Sequence, residues 1–138
     1  MNGTSHNRLR ENRLSGNGYA TQGSNFGIGL VVPGTNDNVI EDNTLVGNTN
    51  GIVLVAGVEG NIIRHNLILG NPPVQISVTL PTADGVDIQN QSAQGANTID
   101  DNICLTSVNA PCSSVGHRGD GDERDRDRDK KDKDKRHR

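Results

Sequence analysis

An asparagine recurs at every fifth residue in four separate windows of this chain. Asn38-Val39-Ile40-Glu41-Asp42-Asn43-Thr44-Leu45-Val46-Gly47-Asn48 is matched, 23 residues on, by Asn61-Ile62-Ile63-Arg64-His65-Asn66-Leu67-Ile68-Leu69-Gly70-Asn71. The same eleven-residue frame opens upstream at Asn7, Asn12 and Asn17 and downstream at Asn97 and Asn102, where Ser107 takes the third place. Eleven of the 17 asparagines fall in these columns, so their placement is a pattern rather than a matter of composition.

Between the asparagines run two apolar columns. Position three holds Leu9, Ile40, Ile63 and Ile99; position eight holds Leu14, Leu45, Ile68 and Cys104. In an uninterrupted strand, residues five apart point to opposite faces. Both columns can face one interior only if the chain bends between them, and the Asn at position six tolerates the left-handed backbone of a sharp bend. A helix is excluded by three Asn and a Gly in each of the first three windows and by β-branched residues at apolar sites. The pattern predicts a short strand, an Asn corner, a second short strand and a Gly-Asn turn, wound every ~20–25 residues into a solenoid.

The motif N-x-I-x-x-N-x-I-x-x-N followed by G-I-x-L resembles the parallel β-helix repeat of right-handed, pectin-lyase-like β-helices. The resemblance covers residues 7–108. It implies an all-β, right-handed parallel β-helix of about four coils, with the corner residues Asn12, Asn43, Asn66 and Asn102 stacked as an internal ladder. Lyases, hydrolases, epimerases, adhesins and the periplasmic copper-maturation proteins of nitrous oxide reductase share this level of likeness, so it points to architecture and not to one reaction. It also implies a secreted or cell-envelope location.

Composition agrees with a solenoid. One Phe, one Tyr and no Trp leave no aromatic anchors for an ordinary globular core. The 17 Gly suit corners and turns. No apolar run reaches the length of a membrane span, and no membrane or nucleic-acid partner is expected. The opening residues 1–6 lack the apolar stretch of a signal peptide and lead almost directly into a repeat, as in a mature or partial chain with a frayed lead-in.

Along the chain, Gly18 to Asn25 reads as a projecting polar loop. Gly27-Ile28-Gly29-Leu30 matches Gly51-Ile52-Val53-Leu54 as the third strand of a coil. After Asn71, Pro72-Pro73 enforces an extended turn. Two segments then compete for the third strand: Val74-Gln75-Ile76, which would leave Leu80 to Gln94 as an excursion, and Gly85-Val86-Asp87-Ile88. Cys104 is either a buried small hydrophobe or, as the even count and the resemblance to exported proteins suggest, bonded to Cys112 across the end of the stack. Residues 1–115 thus form the repeat domain. Residues 116–138 carry ten Lys or Arg against eight Asp or Glu with nothing apolar, and read as a disordered, solvated tail. Its interleaved carboxylates oppose phosphate contacts, and its Arg118-Gly119-Asp120 string is of a kind that arises readily by chance there.

The chemistry lies at positions four and five, which the frame stacks on one outer flank. Position four reads Arg10, Glu41, Arg64, Asp100; position five reads Glu11, Asp42, His65, Asp101. These charges can pair across coils as surface ion pairs. Alternatively, Asp42, Arg64, His65, Asp100 and Asp101 line a groove able to hold Ca²⁺ or to act as acid and base on a uronic acid or sugar. No other metal site and no cofactor are expected. Polygalacturonase-like proteins add Gly-His-Gly and Arg-x-Lys motifs that this chain lacks, and pectate-lyase-like proteins need an Arg beside several calcium carboxylates, for which only Arg64 stands. The reading is therefore a non-catalytic or catalytically incomplete β-helix, an exported glycan-associated scaffold with possible self-association through uncapped coil ends. The alternative is a fragment of a lyase or hydrolase acting on acidic polysaccharide.

Overall fold

The computed structural model describes residues 3–17, 26–71, 75–77, 80–82 and 85–113. Gly18 to Asn25, Pro72-Pro73 and the charged tail 116–138, all singled out above, lie outside the described residues.

Four successive turns of chain make up the fold. The first contributes β1 (Arg8–Arg10), β2 (Arg13–Ser15) and β3 (Phe26–Leu30); the second, β4 (Val39–Glu41), β5 (Thr44–Val46) and β6 (Asn50–Leu54). The third holds β7 (Ile62–Arg64) and β8 (Leu67–Leu69), then a two-stranded excursion of β9 (Gln75–Ser77) and β10 (Leu80–Thr82), then β11 (Ile88–Asn90). The fourth is β12 (Thr98–Asp100), β13 (Ile103–Cys104) and β14 (Ser107–Val108). Corresponding strands pair in parallel as three four-stranded sheets, β1-β4-β7-β12, β2-β5-β8-β13 and β3-β6-β11-β14. This is a parallel β-helix of about four coils.

Register puts the predicted columns in line. Leu9, Ile40, Ile63 and Ile99 are partners up the first sheet, and Leu14, Leu45, Ile68 and Cys104 up the second. The third sheet adds Ile28, Ile52 and Ile88. Ile40, Leu45, Ile52, Ile63, Ile68 and Ile88 are fully buried in one core. At ~1.5–3 kcal/mol for each buried aliphatic side chain, this shaft supplies the main drive for winding. Where the chain crosses closest to its neighbour, a side chain is impossible: a Cβ on Gly51 would overlap the Asp87 carbonyl and an Ile68 methyl.

The bend itself differs from expectation. The left-handed residue at each first corner is the one before the asparagine: Glu11 (φ 58°), Asp42 (φ 55°), His65 (φ 54°) and Asp101 (φ 49°). Gly16, Gly47 and Gly70 play the same part before Asn17, Asn48 and Asn71. The asparagine is freed from that role because its side chain has another: it turns inward. Asn43 donates through Nδ2 to Asn66 Oδ1 at 3.0 Å and through its backbone N–H to the same oxygen at 3.0 Å. Asn66 repeats both bonds to Asn102, and Asn12 makes both to Asn43. Each amide also reaches a carbonyl of the coil before, as Asn66 does at Ile40. Not one ladder but three exist. Asn7, Asn38, Asn61 and Asn97 form a second, and Asn17, Asn48 and Asn71 a third, which ends on the buried carboxylate of Asp87.

Three further expectations change. The 23-residue period holds only between coils two and three; the first ladder steps 31, 23 and 36 residues. The extra length of coil three falls between Asn71 and Ile88, so Leu80 to Gln94 is not the excursion. Ile76 leaves in the antiparallel β9–β10 pair, while Ile88 enters the stack opposite Ile52, two residues out of the expected alignment. Residues 3–6 are not frayed. Gly3 donates to Thr35 Oγ1, and Thr4 supplies the carbonyl that the Asn38 amide requires.

At the far end the chain folds back. Cys104 is both buried in the second column and bonded to Cys112, with Cα atoms 5.2 Å apart. The bond holds Ala110 and Cys112 against the core and lets Ser113 pair with Ile103.

Two outcomes follow from the ladder and the cap. Asn66→Asp keeps shape but replaces donors with lone pairs facing Asn102 Oδ1 and Ile40 O, and is expected to cost about 3–5 kcal/mol in urea unfolding. Asn12→Asp, at the exposed end of the same ladder, should stay within about 1 kcal/mol. Reduction of Cys104–Cys112 is expected to lower stability by about 2–3 kcal/mol from its eight-residue separation.

Candidate functional site

The winding places positions four and five on one flank, at the edge of the first sheet and its corner. Arg10, Glu41, Arg64 and Asp100 are register partners. Glu41 is the hub of this column. Only 3% exposed, it accepts from Arg8 through Oε1 and from Arg64 through Oε2, with Arg64 Nη2 at 2.9 Å and Nε at 3.1 Å. Arg8 comes from position two, which sequence reasoning left aside. Its signal was present: a long cation on the outward side of one strand reaches the next coil ~4.8 Å away. Arg10 stands above, 3.1 Å from both Asp42 and Glu11.

These pairings shape the titration of the flank. The hydrogen bond from Arg8, then that from Arg64, holds the Glu41 carboxyl below the usual carboxylate range. Asp42's hydrogen bond, then Glu11's charge, pushes the Arg10 guanidinium further up.

Of the five proposed groove residues, the structure brings three into a vertical row. His65 Nδ1 lies 4.0 Å from Asp42 Oδ1, and its Nε2 lies 3.8 Å from Asp101 Oδ2. Arg64 is withdrawn from this row toward Glu41. Asp100 continues the Arg64 column and makes no ion pair among the described residues. The row is exposed, with His65 at 52% and Asp101 at 73%.

The geometry limits its chemistry. Asp42 and Asp101 sit two coils apart, roughly 10 Å at strand spacing, and the His65 ring occupies the interval. An acid and base working across one glycosidic bond need a closer, open approach of roughly 5–9.5 Å. For a cation, the two carboxylates face different nitrogens of the ring and do not converge. No group of three His, Cys, Asp or Glu side chains able to share a metal exists among the described residues. What the flank does provide is charge pairing across the coils.

Stacked parallel coils, three amide ladders and an ion-paired outer flank define a β-helix repeat protein of the pectin-lyase-like kind. A protein-family model described as NosD, periplasmic copper-binding protein, matches residues 1–102. The chain belongs to this family. No match to it was found among curated proteins or among solved structures. The family is periplasmic, a cell-envelope setting, and a disulfide such as Cys104–Cys112 is stable in that compartment. No helix among the described residues is long and apolar enough to cross a membrane.

Copper, named in the family description, was tested against the donors present. Copper sites are built on thiolate, thioether or imidazole, with oxygen donors joining imidazole in tetragonal Cu(II) sites. Both thiols are tied in the disulfide, the one methionine, Met1, lies outside the described residues, and His65 has only diverging carboxylates beside it. His6 is the other described imidazole, and neither it nor His65 belongs to a group of three metal-ligating side chains, so the described residues do not fit the metal.

The flank yields two measurable outcomes. Because the Glu41 pKa is lower folded than unfolded, its stabilisation is full above the unfolded value of about 4.3 and is lost as pH falls through the lowered folded value. An acid titration of stability should therefore steepen below about pH 4.3, and Glu41→Gln should flatten it. His65→Gly, which relieves a left-handed side chain, is expected to leave stability unchanged or raise it by up to about 1 kcal/mol in the same urea assay.

Proposed function

We propose that this chain is a non-catalytic β-helix scaffold of the cell envelope that associates with glycan. One observation carries the reading. Apart from Asp100, the charged groups of the flank that could do acid–base work face one another across the coils, with both oxygens of Glu41 taken by Arg8 and Arg64 and His65 set between Asp42 and Asp101. A site holding an acidic sugar would need at least one cation aimed outward, and Arg64 is turned to Glu41. Family membership in the periplasm supports contact with envelope polymers. With one Phe, one Tyr and no Trp in the chain, weak, hydrogen-bonded association is favoured over tight stacking. Copper, named in the family description, has no group of three His, Cys, Asp or Glu side chains to hold it among the described residues.

The test is direct. Purified protein is expected to release no product from polygalacturonate, with or without Ca²⁺, and to bind envelope glycan without turnover. Product formation lost in Asp42→Asn or Asp101→Asn would overturn the reading in favour of a lyase or hydrolase. Whatever copper the full chain takes up in a titration should be unchanged by His65→Ala; a loss on that substitution would restore a metal role to the flank.

A further inference from the structure

The strongest unexplained feature lies at the C-terminal end of the stack, away from the charged flank. A cleft of about 530 Å³ opens there between the last first-sheet strand and the disulfide-held return, and Asn90, Gln94, Asn97, Ile99, Asn109 and Pro111 are among its walls. Its size lies within the range of small-molecule sites, roughly 300–1,000 Å³. Every described residue lining it is uncharged.

The cleft occupies the place of the next rung. In the coils below, the backbone N–H of Asn38 and of Asn61 each donates at 3.0 Å to the amide oxygen of the asparagine one coil on. Asn97 is the last of that column. Its own N–H has no acceptor among the described residues, and its Nδ2 is diverted to Ser92 Oγ at 2.8 Å. Around it, the Gln94 carboxamide has no hydrogen-bond partner among the described residues. Asn109 uses its Nδ2 on the Asn90 carbonyl and leaves Oδ1 open. Ile99 ends the first core column half-buried, and with Pro111 it gives the cleft an apolar side.

We infer that this cleft binds the acetamido group of an N-acetylated amino sugar. The acetamido carbonyl takes the Asn97 N–H where a further ladder amide would otherwise stand. The methyl meets Ile99 and Pro111, while Gln94 and Asn109 are free for the amide N–H and ring hydroxyls. Among the described residues that line the cleft, none offers a cation to meet the carboxylate of a uronic acid. This assignment rests on the glycan-associated reading above and names its ligand class and its site. Without an aromatic platform, the dissociation constant is expected on the order of 1 mM or tighter.

The test titrates the whole chain with the trimer of β-1,4-linked N-acetylglucosamine and with the matched glucose trimer, read by calorimetry and by NMR shifts of Asn97 and Gln94. The N-acetylated trimer should bind at least about tenfold more tightly, and Gln94→Ala and Asn109→Gly should each weaken it by about fivefold or more. Gln94 is exposed and Gly suits the left-handed backbone of Asn109 (φ 49°), so both variants keep the fold. Glu41→Gln should leave binding unchanged. Co-sedimentation with insoluble N-acetylated polymer assigns the cleft to polymer ends; binding of the trimer alone assigns it to released fragments. Equal binding of the glucose trimer, indifference to both variants, or a concentration-dependent dimer that protects the cleft overturns the assignment. Binding of an acidic glycan alone overturns it while leaving the scaffold reading intact. No binding of any glycan overturns both.

Discussion

The structure depends on a carboxamide that can give and accept along the same line. Asn38, Asn43, Asn61 and Asn66 each offer one oxygen to two donors from the coil before, the backbone N–H and Nδ2, and pass the same pair of bonds onward. Asn43, Asn61, Asn66 and Asn102 are at most 1% exposed, where an unpartnered polar group would cost ~1–3 kcal/mol. No buried side-chain nitrogen or oxygen among the described residues lacks a partner. The ladder can therefore close only if every coil keeps its corner at the same height. Aspartate has the shape without the donors, and leucine has neither donors nor acceptor.

That requirement explains the strained backbone beside each rung. To turn the asparagine inward, the preceding residue takes a positive φ, and at the first corner it is Glu11, Asp42, His65 or Asp101. A left-handed L-residue costs roughly 1–2 kcal/mol, which the ladder and the apolar shaft offset. A corner residue that must point outward is also well placed to carry charge. The flank thus follows from the corner: position five projects, position four lies beside it, and charges of opposite sign meet between coils. Its ion pairs are a consequence of winding, and they hold the neighbouring coils in register. The end of the stack differs. There the amide pattern stops with its donor unmet, and the residues around it are neutral.

Much of this was legible in the residues. The columns at positions three and eight and the recurrence of Asn sufficed for a solenoid of short strands and Asn corners, and the resemblance to pectin-lyase-like repeats implied that it is a parallel β-helix with an internal ladder. Position four and five charges could be set in vertical order from the repeat alone. The partners were less accessible. Arg8 reaches Glu41 from another position of the frame, and Arg64 turns toward Glu41 and away from Asp42. Side-chain direction among several charges within reach is settled by burial, which sequence order does not reveal. The choice between Ile76 and Ile88 for the third sheet failed for a related reason. Both offer an apolar residue, and only the Asp87 carbonyl meeting Ile52 N–H, with its carboxylate meeting Asn71 and the N–H groups of Leu105 and Thr106, selects the second.

The amino-acid order by itself determined the eleven-residue frame, the inward apolar columns and the asparagines at the corners, since each arises from a residue and its near neighbours repeated along the chain. Only the tertiary structure decided which residue of the corner carries the left-handed turn, that three ladders run in parallel, which charges are joined, and that a neutral cleft closes under the Cys104–Cys112 bond. Apart from the disulfide, which joins residues 8 apart, the ladders and joined charges depend on contacts between residues 16 to 39 positions apart, brought level by coils of unequal length. A periodic reading assumes equal coils, and here the intervals of 31, 23 and 36 residues decide what faces what.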